Sequence, residues 1–338
     1  MTHAALLPTR GDPFSIMLNL HFFETVWQGE VDRYHILLNS SLEREVVDFL
    51  AERAMRNPKV TFTYVDHPLD HGPSLTALVT GKATEDVLVL MEDDFLVYKK
   101  GCVDAFFKVI EGGEYDIVGD PSHQQCDGEL AQAIAQRFPG PTESWWPCFF
   151  FARRADLLKT DLHFSSKRFE AGVPISLLNY TPTVLQCADT FVWMSLELKA
   201  LGLKALNIDH HRDSSMQGNY SDYSHNGTIS SAVDAIFTDD EDRPLSIRKL
   251  HNAFKYETTL EGGGYEMERR LVWHLLMVEQ FWKESEPIAE FRDLYKKAIR
   301  KYSEKFHLFG GDWEAAERMA RDLRQKVGLP EPKGGTLP

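Results

Sequence analysis

The chain has 338 residues, 43% hydrophobic and 26% charged, with a formal net charge of −14, which is enough for one large core or two modest ones in an ordinary globular protein. That acidity excludes broad nonspecific attraction to nucleic acid, which needs a cationic surface; from Pro287 to Pro338, however, 11 Lys and Arg stand against 8 Asp and Glu, so the tail is locally basic. No apolar run approaches the roughly 20 residues of a membrane span, and MTHAALLPTRGDP lacks the basic start and apolar stretch of a secretory signal, so a cytoplasmic protein with reduced thiols at Cys102, Cys126, Cys148 and Cys187 is expected.

In chain order, Phe14 to Phe23 (FSIMLNLHFF) and Tyr34 to Leu38 (YHILL) read as the first two strands. Asn39-Ser40-Ser41-Leu42-Glu43 then has the Ser-x-x-Glu spacing of a capping box, and Val46, Phe49, Leu50 and Ala54 follow on one helical face. Val60 to Val65 (VTFTYV) gives a third strand. Gly72 as a cap and Pro73 at the first helical position open a helix over Ser74 to Thr80. This β-α-β-α rhythm predicts a mostly parallel sheet with helices on its faces, whose ligands bind outside the carboxyl ends of the strands.

The rest of the chain turns on Val87 to Phe95, VLVLMEDDF. Its near-continuous apolarity fits a strand covered on both faces, and it stops at three adjacent carboxylates, Glu92, Asp93 and Asp94. Carboxylates crowded at a strand tip repel one another unless a cation sits there, and Mg²⁺ or Mn²⁺ is the usual answer because hard cations take oxygen ligands and share their shell with phosphates. A solvated acidic turn is the alternative reading.

The segment His71 to Asp94 resembles the part of GT-A fold glycosyltransferases, especially the family 2 type, in which a Gly-containing loop and small-residue helix lead into a strand ending in a DxD motif, here Glu92-Asp93-Asp94. The likeness continues through a helix at Val103 to Ile110 and a strand at Tyr115 to Gly119. It goes on through the strand from Pro147 to Leu157, and through Ala188-Asp189 followed by the helix Thr190 to Leu201, which resembles the family's "ED" helix. The resemblance covers roughly Phe14 to His211. It implies an α/β GT-A fold over 1–230, and the helical spacing beyond it adds a helical C-terminal extension over 231–338. It also implies a nucleotide-diphosphate sugar as donor and Mn²⁺ or Mg²⁺ as cofactor. Asp94 then corresponds to the metal ligand, Glu92 to a contact with ribose or metal, and Asp93 to a donor contact, with a helper that hydrogen-bonds a neighbouring loop as the alternative for Asp93. His210 or His211, at the end of a strand from Ala205, corresponds to a further ligand, and Asp189 to the general base of an inverting transfer. Arg212 to Ser230 reads as a loop of the kind that folds over the donor in that family.

Two positions depart from the pattern. Where the family has an Asp that holds the nucleotide base, this chain has Asn39, with Asp66 at the end of the third strand as a substitute or a turn residue; Gly72 completes the donor loop. Ala188 stands where the paired Glu is expected, leaving Asp189 alone. Trp145 and Trp146 offer a stacking platform for an acceptor, with core packing as the alternative for at least one. The acceptor is open between a glycan, a lipid carrier, a protein and a modified nucleic-acid base. Beyond Asp242, Arg269 to Trp282, Ile288 to Tyr302 and Trp313 to Val327 have helical periodicity, the last capped by Asp312, and offer an oligomer contact. Two other classes stay open: a nucleotidyltransferase, for which Asn19 to Glu24 lacks the Gly-rich basic loop, and a catalytically silent scaffold of the same fold, which Ala188 favours.

Overall fold

The structure, a computed structural model, describes residues 1–9, 16, 19–20, 22–39, 44–65, 69, 71–92, 95–97, 100–122, 126, 128–140, 144–208, 229–231, 272, 300, 304 and 307–326. The chain divides into two compact units. One comprises Met1–Asp12, Phe22–Leu42 and Ala51–Ser230; the other comprises Pro13–His21, Glu43–Leu50 and Ser231–Pro338.

The first unit is built on a seven-stranded sheet. In chain order its strands are β1 (His3–Thr9), β2 (Arg33–Asn39), β3 (Val60–Val65), β4 (Val87–Met91), β6 (Ile117–Ser122), β7 (Ser144–Arg153) and β10 (Ala205–Asn207), arranged β10-β6-β7-β4-β1-β2-β3. The short strands β5 (Phe95–Val97), β8 (Lys167–Phe169) and β9 (Gln186–Ala188) lie outside it, the last two paired with each other. Helices α1 (Arg44–Met55), of which the part up to Leu50 is counted with the other unit, α2 (His71–Gly81), α3 (Cys102–Glu111), α4 (Gly128–Arg137), α5 (Arg154–Leu157) and α6 (Val192–Ala200) alternate with the strands along the chain. β1 pairs in parallel with β2 and β4, β2 with β3, and β10 with β6; only β7, inserted between β4 and β6, runs antiparallel. The protein is therefore a mixed α/β fold with a mostly parallel central sheet.

Both faces of β4 are covered because alternate strand residues point to opposite sides. Leu88 and Leu90 join Ala4, Leu6, Phe150 and Ala152 in a core that receives Leu75, Leu78 and Val79 of α2 and Met194 and Leu198 of α6. On the other face, Phe106 and Phe107 of α3 meet Phe149 and Phe151 of β7. The N-terminus of α3 begins at Gly101 in a left-handed conformation and has no cap of its own. Glu30 reaches over from elsewhere to accept the Gly101 and Asp104 N–H groups at 2.6 and 3.0 Å, where the helix dipole favours a carboxylate.

The expected first strand is corrected. The chain enters the sheet at His3–Thr9. The described residues within Phe14 to Phe23, namely Ile16, Asn19, Leu20 and Phe22, are helical, and Phe23–Trp27 forms a π-helical turn. Ile16, Leu20, Phe23 and Trp27 are all buried, and their spacing of four, three and four residues is helical rather than alternating. α1 confirms the helix after β2; of its expected face Leu50 and Ala54 are buried and Phe49 is half-buried, and Val47 is buried with them; Ser40 and Glu43 lie outside the described residues. α4 falls where no helix is expected from the sequence.

Of the second unit, α7 (Trp313–Lys326) is described most fully. Asp312 caps it by accepting the Ala315 N–H at 3.1 Å, as its sequence predicts. Ala316, Ala320 and Leu323 are buried on one stripe, together with Val272. The helices expected over Arg269 to Trp282 and Ile288 to Tyr302 lie almost wholly outside the described residues. Among the described residues no helix is long and apolar enough to cross a membrane.

Candidate active site

The carboxyl edge of the sheet gathers the ends of β1 to β4 and β6 with the N-terminus of α2. All five residues of β4 are buried, and the strand delivers Glu92 to this edge with its side chain 34% exposed. The Glu92 carbonyl accepts the Phe95 N–H at 3.1 Å, turning the chain directly into β5. His71 Nε2 lies 3.9 Å from Glu92 Oε1, which puts the first residue of α2 beside the strand tip. Asp93 and Asp94 lie outside the described residues, as do Asp66, His210 and His211.

Asn39 ends β2 at the same edge and is almost wholly buried. Its Nδ2 donates to the Leu69 carbonyl at 2.5 Å and to Ser74 Oγ at 3.0 Å, and its Oδ1 accepts the Leu69 N–H at 2.8 Å. The amide is thus engaged in holding the connection that enters α2. Gly72 sits inside that helix rather than capping it, since α2 starts at His71 and Pro73 occupies a first-turn position that tolerates a missing N–H. A Cβ on Gly72 would stand 2.1 Å from Ser165 Oγ and 2.4 Å from Ser165 N. Glycine is required there by the close approach of another backbone.

Asp189 is exposed and follows β9 directly. The expectation that it opens a helix at Thr190 is corrected: α6 begins at Val192, and its N-cap position is Phe191 at φ 70. Asp189 Oδ1 accepts the Thr190 N–H at 2.7 Å, and the Asp189 carbonyl accepts the Val192 N–H at 3.2 Å. A bulky residue with positive φ is a genuine outlier, held only when its surroundings impose it. Phe191 has those surroundings: it is fully buried, its N–H donates to the Phe164 carbonyl at 2.9 Å, and its ring meets Phe150 and Phe164. Met194 and Leu198 complete the expected buried stripe, whereas Leu201 is exposed.

The two tryptophans separate. Trp145 is 2% exposed, stacks at a tilt on Phe150 and donates Nε1 to Asn207 Oδ1 at 3.0 Å, so it is a core residue. Trp146, by contrast, is 36% exposed. A carboxylate that the sequence reading passed over, Asp120, is buried on β6 at the irregularity between Gly119 and Pro121. Its signal was the run Ile117-Val118-Gly119-Asp120, an apolar strand ending in acid like β4 itself. Gly119 is needed beside it, because a Cβ there would stand 2.8 Å from the Phe150 ring and 3.0 Å from that of Trp145.

Among the described residues no group of three or more His, Cys, Asp or Glu side chains is placed to enclose a metal. A Mg²⁺ or Mn²⁺ that keeps water and substrate phosphates in its shell needs only one or two carboxylates from the protein. Glu92, partly exposed at a strand end, fits one such place.

Fold and edge together define a mixed α/β protein with a mostly parallel central sheet, at whose carboxyl edge strand ends meet a helix N-terminus. No protein-family model matches the chain, and no curated protein matches it. Among solved structures it is similar to the mannosyltransferase PcManGT from Pyrobaculum calidifontis in complex with GDP-Man and Mn²⁺, at 11% identity over 97% of this chain and 83% of that one, with a TM-score of 0.44. It is also similar to S. aureus TarS 1–349, at 12% identity over 96% of this chain and 92% of that one, TM-score 0.38, and to HddC from Yersinia pseudotuberculosis, at 12% identity over 48% of this chain and 80% of that one, TM-score 0.31. At this identity and overlap the similarities bear on no residue of the site.

Proposed function

We propose that the chain is a glycosyltransferase that moves a sugar from a nucleotide-diphosphate donor to an acceptor hydroxyl at the carboxyl edge of the sheet. The observation that supports this reading is β4, a strand buried along its whole length that ends at Glu92, the first residue of the Glu92-Asp93-Asp94 run in the sequence, at the edge where parallel sheets bind ligands. Glu92 and Asp94 hold a divalent cation together with the donor diphosphate, and His210 or His211 adds a nitrogen ligand. When bound, that cation supplies a Lewis acid for the departing diphosphate. Asn39 holds the entry to α2 in place, and the donor lies against that entry, with Gly72, Asp66 and Asp93 forming its border. Asp189 removes the proton of the acceptor hydroxyl, and direct attack inverts the anomeric configuration. Trp146 offers its exposed face to the acceptor. The protein acts in the cytoplasm, and the helices of 231–338 serve oligomer or acceptor contacts.

The test is a panel of nucleotide sugars, each assayed for thermal stabilisation and for hydrolysis without acceptor, with and without Mn²⁺. Metal-dependent stabilisation by one donor, lost in Asp94→Asn, is expected. Activity undiminished in EDTA sinks the metal role, and stabilisation without any turnover favours a silent scaffold of the same fold.

A further inference from the structure

Away from the strand ends, two carboxylates meet beside α6. Trp193 Nε1 donates to Glu197 Oε1 at 2.8 Å and to Asp161 Oδ2 at 3.1 Å, and the Asp161 N–H donates to Glu197 Oε2 at 3.0 Å. Lys167 of β8 brings Nζ to 3.5 Å from Asp161 Oδ2 and 3.7 Å from the centre of the Trp193 ring. His163 gives its backbone N–H to Asp161 Oδ1 at 2.9 Å, while its ring lies 3.4 Å from the Ser166 carbonyl. These are the charged and titratable groups that face the pair from the turn, from β8 and from α6. One ammonium, one indole N–H and two backbone N–H groups serve the pair, and with a single positive charge facing two carboxylates the arrangement favours retention of a proton between them. Burial, aided by the hydrogen bond to Asp161, raises Glu197 to about 7. Burial acts upward on Asp161 too, but the hydrogen bonds from Glu197, the His163 N–H and Trp193 and the charge of Lys167 outweigh it, and Asp161 is held below its ordinary value.

The pair stands at a mechanical junction. Asp161 opens a turn in which Leu162 has φ 55, and the Leu162 carbonyl accepts Thr76 Oγ1 at 3.0 Å. The same turn carries Phe164, whose carbonyl receives the Phe191 N–H and whose ring stacks on Phe191 at 5.7 Å. Leu162 and Phe191 are thus two bulky residues in the left-handed region, on the two segments that the pair joins, and each keeps that conformation only while its neighbours impose it. Asp189 is two residues before Phe191.

We propose that Asp161 and Glu197 form a positioning device: their shared proton ties the Asp161–Phe164 turn to α6, and that tie keeps Phe191, and through it Asp189, in the orientation the transfer uses. The proposal rests on the reading of Asp189 as general base. Glu197 is a positioning residue and touches no substrate. As pH rises through about 7 the pair loses its proton, the two carboxylates repel, and the turn loosens from the helix.

Amide hydrogen exchange at Thr190, Phe191 and Val192 tests the tie without requiring turnover. After correction for the intrinsic effect of pH, wild type is expected to lose roughly tenfold in protection between about pH 6 and pH 8.5, the equivalent of one pKa unit. Glu197→Gln, which keeps the size of the side chain and removes its titration, is expected to show no such change, and Asp161→Asn serves as the second variant. In parallel, wild-type kcat falls over the same range with the donor KM unchanged, and Glu197→Gln flattens that limb. Wild-type protection that ignores pH overturns the proposal, as does lost protection with a pH-insensitive kcat. A full exchange response in a protein that transfers no sugar supports the tie and overturns the reading of Asp189.

Discussion

The rings of Phe150 and Phe191 meet edge to face with their centroids 4.8 Å apart. Phe150 pairs with Leu90 of β4, two residues before Glu92, and Phe191 lies two residues after Asp189. One aromatic in the middle of the sheet thus anchors both the acidic strand end and the segment proposed to carry the base.

Asp189→Asn tests that base. Asn keeps an acceptor for the Thr190 N–H, so the fold and the donor affinity are expected to persist. Transfer should fall by at least about 10²-fold, the lower end of what a positioned base contributes. The measurement is kcat against donor Kd, with the anomeric configuration of the product read by NMR; near-parental turnover, or retention, removes Asp189 from the role.

Gly72→Ala is a packing prediction. The new methyl would meet the Ser165 backbone nitrogen at 2.4 Å, and a backbone atom cannot swing aside as a side-chain tip can. A loss of about 1–3 kcal/mol or more in urea unfolding is expected. Ser165→Gly removes Oγ but not the nitrogen, so in combination it should restore only part of the loss; full rescue would place the clash on the side chain alone.

Asn39→Ala should cost about 1–3 kcal/mol, because it removes the amide's hydrogen bonds to the Leu69 N–H and carbonyl and to Ser74 Oγ in a half-buried place. Asn39→Asp should cost more than loss of the donor alone, since it sets a carboxylate against the Leu69 carbonyl. Faster proteolysis at the connection before α2 is the accompanying readout, and an unchanged stability in both variants would deny the clamp.

Glu197 gives stability a pH dependence of defined sign. Its folded value near 7 exceeds the ordinary 4.5, so the folded state retains a proton that the unfolded chain has lost. The contribution is full below about 4.5 and lost as pH rises through about 7. The Tm of wild type relative to Glu197→Gln should therefore decline from mildly acid to mildly alkaline pH, by an amount that solvent screening of this partly exposed group keeps modest. A difference that grows with pH would contradict the assignment.

Local pattern by itself determined β4, β2, β3, the helices after them and the Asp312 cap of α7. Each is set by neighbours in the chain: a continuous apolar run too short for a helix, an alternation, a 3.6-residue stripe, a side chain within reach of its own helix N–H. The acidic strand end was legible for the same reason, since a run of carboxylates after buried aliphatics needs no partner from elsewhere to be recognised. What only the tertiary structure decided were the contacts between distant segments. His3–Thr9 is a strand because it has parallel partners on both sides, and the helical burial of Ile16, Leu20, Phe23 and Trp27 overrides the strand-like composition around them. The start of α6 is delayed to Val192 because Phe164, from another segment, holds Phe191 in the left-handed region. The amide of Asn39 acquires its partners, and Asp161 meets Glu197, only when the loops fold back on the sheet. Polar side chains take their roles from what burial places within three ångströms of them, and that placement is a property of the packed core rather than of any window of sequence.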